Sequence, residues 1–374
     1  MPIRTNIIMT RDEIQTKLSD EFIDKGFFGI FHVAPRVGKI KITLNCLNTK
    51  DDVIIAYPEV NIKKSWQDDI KKWKFKSKKI KYSTYMSFKK IDNPCDVLIL
   101  DEIHLMSEAQ MDSVAKYIKK FNIQKVLGLS GTLSDRTQED LLKRLKLKVL
   151  VEYSISEAIK DGIVTDYKID VHYTPLSTVK DIKIEWTGGT FMTSEKGSFD
   201  SLSKKIDSIS NYNDFRARKQ LKFNRLMRMG LIKKSRAKIQ LTKDLIAVYG
   251  KKRILVFCGL TEIADSLGIT SYHSKNESDT VRNEFMSGQI DKLAIVNKLN
   301  TGVTFPKLNL AIINFFDSNS ENMAQKISRV TCMEYDNPDK IAHIVIVCST
   351  EEIEKKWLNM SLAFFDQSKI NHYN

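Results

Sequence analysis

Three short strings carry residue types that could do chemistry together. The first is Ala34-Pro35-Arg36-Val37-Gly38-Lys39-Ile40, directly after the apolar run Ile30–Val33. A strand, a Gly-Lys turn and then a helix suit an anion, because backbone N–H groups and the helix N-terminus face it and Lys adds a point charge. The fuller phosphate-loop pattern has an earlier Gly where this chain has Val33, and a Ser or Thr where it has Ile40. Taken alone, the turn reads more readily as a surface Gly-Lys turn. The second string is Asp101-Glu102-Ile103-His104, after the run Val97–Leu100. Two carboxylates at the end of a strand suit magnesium-dependent phosphoryl chemistry, one for the metal and one to polarise water. Acidic residues capping the next helix are the plain alternative. The third is Gln325 and Arg329, four apart and so expected on one helical face.

The elements that must position these residues follow from hydrophobic pattern. Short continuous apolar runs occur at Ile30–Val33, Val53–Ala56, Val97–Leu100 and Val126–Leu129, then again at Ile254–Cys258, Leu293–Val296, Leu310–Ile313 and Ile344–Val347. Runs without alternation suit strands covered on both faces, as in a parallel sheet. Helical stripes lie between them: Ile14, Leu18 and Phe22; Ile62, Trp66, Ile70 and Trp73; Met111, Val114, Ala115 and Ile118. Strand alternating with helix, twice over, predicts an α/β fold of two tandem lobes with mainly parallel sheets. We place the first lobe at 1–163 and the second at 164–374. A basic hairpin and helical connector or insertion spans about 174–238. There Trp186-Thr187-Gly188-Gly189-Thr190-Phe191 reads as a hairpin, and Leu221, Phe223, Leu226, Met227 and Leu231 are expected to be buried. Ligands of such sheets bind beyond the carboxyl ends of the strands, where the first two strings lie.

The bulk composition narrows the partner. The 374 residues hold 60 Lys and Arg against 46 Asp and Glu, a net charge of +14 that favours a polyanion. A chain merely rich in Lys would look the same, so charge alone leaves nucleic-acid binding open. Cys46, Cys95, Cys258, Cys332 and Cys348 form no C-x-x-C pair and are odd in number, which argues against a disulfide framework or a zinc ribbon. No apolar run of membrane length and no export signal is visible, so a cytoplasmic protein is expected.

The strings, in this order, resemble those of superfamily-two helicases and translocases with an Asp-Glu-x-His box, phage-type DNA helicases in particular. The resemblance covers nearly the whole chain and implies two RecA-like lobes binding ATP and Mg²⁺. It implies that Gln15 reads adenine, and that Pro35, Arg36, Val37, Gly38, Lys39 and Ile40 form the nucleotide loop. Asp101 would orient the metal and Glu102 act as general base. His104 and Gln325 would sense the γ-phosphate, and Arg329 would serve as an arginine finger. Ser130-Gly131-Thr132 resembles the motif that couples hydrolysis to movement. Pro58, Trp66, Thr84, Tyr85, Thr301 and Gly302 fall where the family touches nucleic acid. His273, Arg282, Phe285 and Gly288 keep the spacing that precedes the motif at Val296–Pro306.

Departures from the family pattern are Ile40, which cannot ligate Mg²⁺, Arg36 and Val37 in the loop, Thr304 in place of a common Asp, and Cys332 in place of a second arginine. The expected function is an ATP-dependent nucleic-acid helicase or translocase, with DNA favoured over RNA, working as a monomer, with protein partners left open. A non-hydrolysing nucleic-acid-binding scaffold is the alternative that Ile40 and Cys332 favour. A motor subunit of a restriction or repair nuclease would need a partner.

Overall fold

The computed structural model describes residues 9–374 except 78, 187, 213, 277, 297–304, 306, 335, 336, 338 and 339, and not the side chains of 186, 279, 320 and 321. The chain divides into two compact units. The first contains the described residues up to 166 and those of 331–340. The second contains those of 167–299, 305–330 and 341–374.

In the first unit six strands form one sheet: β1 (Phe28–Val33), β2 (Asp52–Tyr57), β3 (Lys79–Thr84), β4 (Val97–Leu100), β5 (Lys125–Ser130) and β6 (Val149–Tyr153). Their order is β3-β2-β4-β5-β1-β6, and every pairing is parallel. The continuous apolar runs are explained by burial on both faces. Val97, Ile99, Val53, Ile55, Leu127 and Leu129 point into one core, while Leu98, Leu100, Ile54, Ala56 and Val126 point into the other. Side chains alternate across a strand, so a run of four fills both cores at once. The first helix, Arg11–Asp24, begins with Thr10 and Glu13 in a reciprocal capping box and buries Ile14, Gln15, Leu18 and Phe22. In the helix Asn61–Lys72 only Ile62 and Trp66 of the expected stripe are buried; Ile70 is half-buried, and Trp73, its C-cap, is exposed.

The second unit has a seven-stranded sheet built from β7 (Asp166–Thr174), β10 (Ile254–Phe257), β11 (Thr270–Tyr272), β12 (Lys292–Ile295), β13 (Leu310–Ile313), β14 (Ile341–Ser349) and β15 (Ile370–Tyr373). The order is β11-β12-β10-β13-β14-β7-β15. Parallel pairing links β11 through β14, and β15 adds to β7 in parallel. Both units are thus α/β sheets of the RecA-like kind.

Between β7 and β10 lies the insertion. β8 (Ile182–Trp186) and β9 (Gly189–Thr193) form the expected antiparallel hairpin, with Trp186 opposite Gly189. The helices Glu195–Ser210, Phe215–Lys233 and Arg236–Val248 follow, and the first two pack on each other. One expectation fails here. Phe223, Leu226 and Met227 are exposed, and Leu221 and Leu231 are only half-buried. The insertion's own core is small, centred on Leu176, Phe199 and Ile232, and covers one side of the helix Phe215–Lys233 only. The basic run is split between two helices, which break at Lys234 and Ser235.

All five cysteines are free thiols. No helix among the described residues is long and apolar enough to cross a membrane.

Candidate functional site

The carboxyl edge of the first sheet gathers the chemistry. β1 ends at Val33, and the chain turns through Pro35-Arg36-Val37-Gly38 before the helix Lys39–Cys46. Two positive φ angles shape that turn, 74° at Arg36 and 105° at Gly38. A side chain at Gly38 would be strained by its φ, and its Cβ would lie 2.3 Å from Gln15 Nε2. Gln15 is buried and donates Nε2 to the Val37 carbonyl at 2.7 Å, while Arg11 Nη2 donates to the Arg36 carbonyl at 2.7 Å. The loop is therefore tied from behind by the first helix. Gln15 Oε1 is buried with no hydrogen-bond partner. A buried amide oxygen costs free energy until something donates to it.

Lys39 begins the next helix, and its Nζ lies 3.1 Å from Glu102 Oε1. The same ammonium sits where a Cβ on Gly131 would be 3.2 Å away, with Pro35 Cγ at 3.1 Å. Three separate loops, after β1, β4 and β5, thus meet at one cation. Glu102 occupies a left-handed conformation, φ 48°, unusual for a non-glycine residue and typical of strain held at a working site. His104 Nδ1 is 2.9 Å from Ser130 Oγ and 3.6 Å from Glu102 Oε2. Ser130 Oγ donates in turn to the Thr132 carbonyl. The coupling string Ser130-Gly131-Thr132 is thereby wired to the acidic string through one imidazole. Ile40 packs its side chain on the core and offers no oxygen to the loop.

Asp101 is buried beneath this surface. Its Oδ2 accepts from Trp66 Nε1 at 2.8 Å, its Oδ1 from the Glu102 N–H at 2.9 Å, and its carbonyl from the Tyr85 hydroxyl at 2.6 Å. Burial pushes the Asp101 carboxyl up to about 6, and the neighbouring Glu102 carboxylate adds to this; Lys39 and the Trp66 and Glu102 N–H groups oppose it. Burial, then the Asp101 and Glu102 charges, hold the Tyr85 hydroxyl well above its ordinary range.

Two expected strand contacts are therefore corrected. Trp66 and Tyr85 are 0% and 2% exposed and hold Asp101 from inside, rather than facing a ligand. In sequence an indole or phenol reads the same whether it points out or in. Pro58 follows β2 and Thr84 ends β3, both half-buried at the same sheet edge. Thr301, Gly302, Thr304 and Pro306 lie outside the described residues.

Beside Gln15 and Gly38 a cavity of about 650 Å³ opens, lined among others by Arg11, Lys41, Lys72 and Trp73. Lys41 Nζ and Lys72 Nζ lie 4.8 and 4.9 Å from the centre of the Trp73 ring. The sequence reads Trp73 as part of a helix stripe; the structure places it at this cavity instead.

In the second unit the helix Ser320–Ile327 carries Gln325 and ends before Arg329. Arg329 instead lies in a tight turn, its N–H donating to the Lys326 carbonyl at 3.2 Å, and is 6% exposed. The expected shared helical face is thus not formed. A solvated surface arginine is not formed either. Lys326 is pulled down to about 8 by burial and donates to the Phe315 carbonyl at 3.2 Å. Of the spaced residues before the described gap, His273 is buried and lies 2.8 Å from Asp265 Oδ1, Phe285 is fully buried, and Gly288 ends a helix at φ 82°.

Comparison of the sequence finds no matching family model and no matching curated protein. Solved structures do match. Dbp5 from S. cerevisiae, bound to RNA and ADP BeF3, superposes with a TM-score of 0.55 at 10% identity, over 95% of this chain and 89% of that one. The helicase domain of Hef from Pyrococcus furiosus gives 0.53 at 12% identity, over 94% and 99%. The ATP-dependent Type ISP restriction-modification enzyme LlaBIII, bound to DNA, gives 0.60 at 12% identity, over all of this chain and 31% of that one. The chain has the two-lobed helicase fold. At these identities the likeness is one of fold.

Proposed function

We propose that the chain is an ATP-dependent nucleic-acid motor, a helicase or translocase, acting on DNA. The observation that carries this reading is the meeting of Lys39, Glu102 and Gly131 at the carboxyl edge of a helicase-type sheet, with Gln15 and a cavity alongside. The residues present fit a nucleoside triphosphate. Gly38 opens a helix N-terminus, Lys39 supplies the charge, and the unpartnered Gln15 Oε1 awaits a donor such as an exocyclic amine.

Lys39 neutralises phosphate charge. Negative phosphates compete with Glu102 for the Lys39 ammonium, so substrate binding itself releases Glu102 to accept a proton from water. Bound Mg²⁺ would supply further charge neutralisation, with Asp101 as the carboxylate that would orient it. His104 carries the state of Glu102 to Ser130. We assign Arg329 as the finger that stabilises the transition state and Gln325 as its companion, as the resemblance implies. Pro58, Thr84, Thr301 and Gly302 are assigned to the nucleic-acid backbone on the same ground. We place the lobe boundary near 163.

The test is a phosphate-release assay against single-stranded, duplex and branched DNA and RNA. Lys39→Ala and Glu102→Gln are each expected to abolish stimulated hydrolysis with the fold intact by circular dichroism. Undiminished turnover in either variant removes the assignment. One observation favours the second reading, a scaffold that binds without hydrolysing: Ile40 packs on the core where a metal-ligating hydroxyl is usual. Wild-type protein that binds ATP but releases no phosphate with any of the nucleic acids would establish it.

A further inference from the structure

The helix Phe215–Lys233 contains seven basic residues and no acidic one, which is half of the net +14 of the whole chain. Its inward side is marked by the buried Ala217, Asn224 and Ile232. At 100° per residue the opposite arc holds Phe215, Lys219, Lys222, Phe223 and Leu226. Phe215 is 84% exposed, Phe223 60% and Leu226 52%. Rings and cations therefore alternate on one outward face. Among the described residues Lys219, Lys222, Arg216 and Arg225 make no ion pair. Just beyond the helix break, Arg236 is engaged by Asp181 and Glu195, and Lys238 by Glu354. The structure thus spends its acidic groups on the second part of the basic run and none on these four.

We propose that this face is a docking surface for single-stranded nucleic acid, with phosphates on the lysines and arginines and bases stacked on Phe215 and Phe223. The choice of partner rests on the motor reading above, but the docking itself needs no hydrolysis. A single strand is the polymer whose own surface alternates anion and aromatic ring, and it matches this face in both respects. A bilayer matches it poorly, because Lys219 and Lys222 lie amid the rings and would be drawn into the apolar boundary. A second copy of the face would bring two sets of unpaired cations together.

The experiment uses full-length protein without nucleotide and follows fluorescence anisotropy of labelled oligothymidylate and oligouridylate. The double variant Phe215→Ser, Phe223→Ser keeps every charge and is expected to bind at least tenfold more weakly, since one stacked ring is worth roughly five- to hundredfold. Phe223→Trp is expected to retain affinity and Phe223→Leu to lose it, which separates stacking from plain apolar contact. Lys219→Gln with Lys222→Gln is expected to flatten the dependence of log affinity on log salt by about 1.4, at about 0.7 for each phosphate. Lys39→Ala is expected to bind the strand as wild type does. If Lys39→Ala retains hydrolysis while the ring variants still lose the strand, the motor site is wrong and the docking face stands. Wild-type strand affinity in the double ring variant overturns the docking face. So does a change in that variant confined to phosphatidylglycerol-vesicle binding or to sedimentation mass.

Discussion

The sheet edge of the first unit and the helical insertion of the second break opposite halves of the same rule. Around Asp101 the molecule takes charge and polar groups inside: a carboxylate, an imidazole and an amide all sit under cover. Along Phe215–Lys233 it leaves phenyl rings outside. Either departure costs free energy, since a buried charge must be solvated by the protein and an exposed ring must be solvated by water. In the first unit the cost is offset in part by bonds to Asp101 from Trp66, Glu102 and Tyr85. In the insertion nothing within the described chain offsets it. A site short of one donor, at Gln15 Oε1, suits a small ligand, and a whole face left in water suits a large one.

The buried pair Lys238 and Glu354 supplies the reference case of charge kept for structure. Their side chains are 1% and 0% exposed, and Glu354 Oε2 also accepts from the Ser349 N–H at 2.6 Å. Lys238→Ala strands that carboxylate and is expected to lower unfolding free energy by about 3–5 kcal/mol in urea titrations. A loss below about 1 kcal/mol would mean that water reaches the pair, and the contrast with the exposed cations would collapse.

Asp101→Asn is expected to act in the opposite direction. The wild-type carboxyl titrates near 6 when folded and near its ordinary value of 3.8 when unfolded. Between those two pH values the folded state holds the extra proton, so wild-type stability falls as pH rises and is level above about 6. The asparagine has no such loss. Its stability gain is expected to be near zero at pH 4 and on the order of 1–3 kcal/mol at pH 8, with turnover abolished. Thermal melts across pH 4–8 check it, and an equal gain at both ends would show that Asp101 is not desolvated.

Trp66→Phe removes an N–H that favours the ionised Asp101. The acid limb of the hydrolysis profile, set near pH 6 by this carboxyl, is expected to move upward, and an unmoved limb would detach Trp66 from the site. The smallest effect belongs to the other region. Phe223→Ser on the exposed face is expected to change stability by less than about 0.5 kcal/mol, although it weakens strand binding. A loss of 2 kcal/mol in chemical denaturation would instead place that ring against the fold.

Much of the scaffold was legible because both faces of each sheet are covered. Val97-Leu98-Ile99-Leu100 has no alternation to misread, and four apolar residues in a row leave a buried strand as the simple outcome. The same directness applies to the Asp101–Glu102 pair, which directly follows such a strand, and to Lys39, one short turn beyond another, so the parallel topology carries them to one edge. The insertion was less legible. Leu221, Phe223, Leu226, Met227 and Leu231 look like a core in one dimension, and only packing shows how small a surface the neighbouring helix provides.

Sequence by itself therefore determined eight of the buried strands, the two α/β units and the placement of a Lys and two carboxylates just beyond strands, because periodicity and strand polarity are local properties of the chain. Tertiary structure alone decided side-chain direction and electrostatics. It turned Trp66 and Tyr85 inward onto Asp101, lifted that carboxyl toward neutrality, ended the Gln325 helix short of Arg329 and left Phe215 and Phe223 in solvent. Burial and field at any one atom are sums over neighbours distant in sequence, and such sums exist only once the chain has folded.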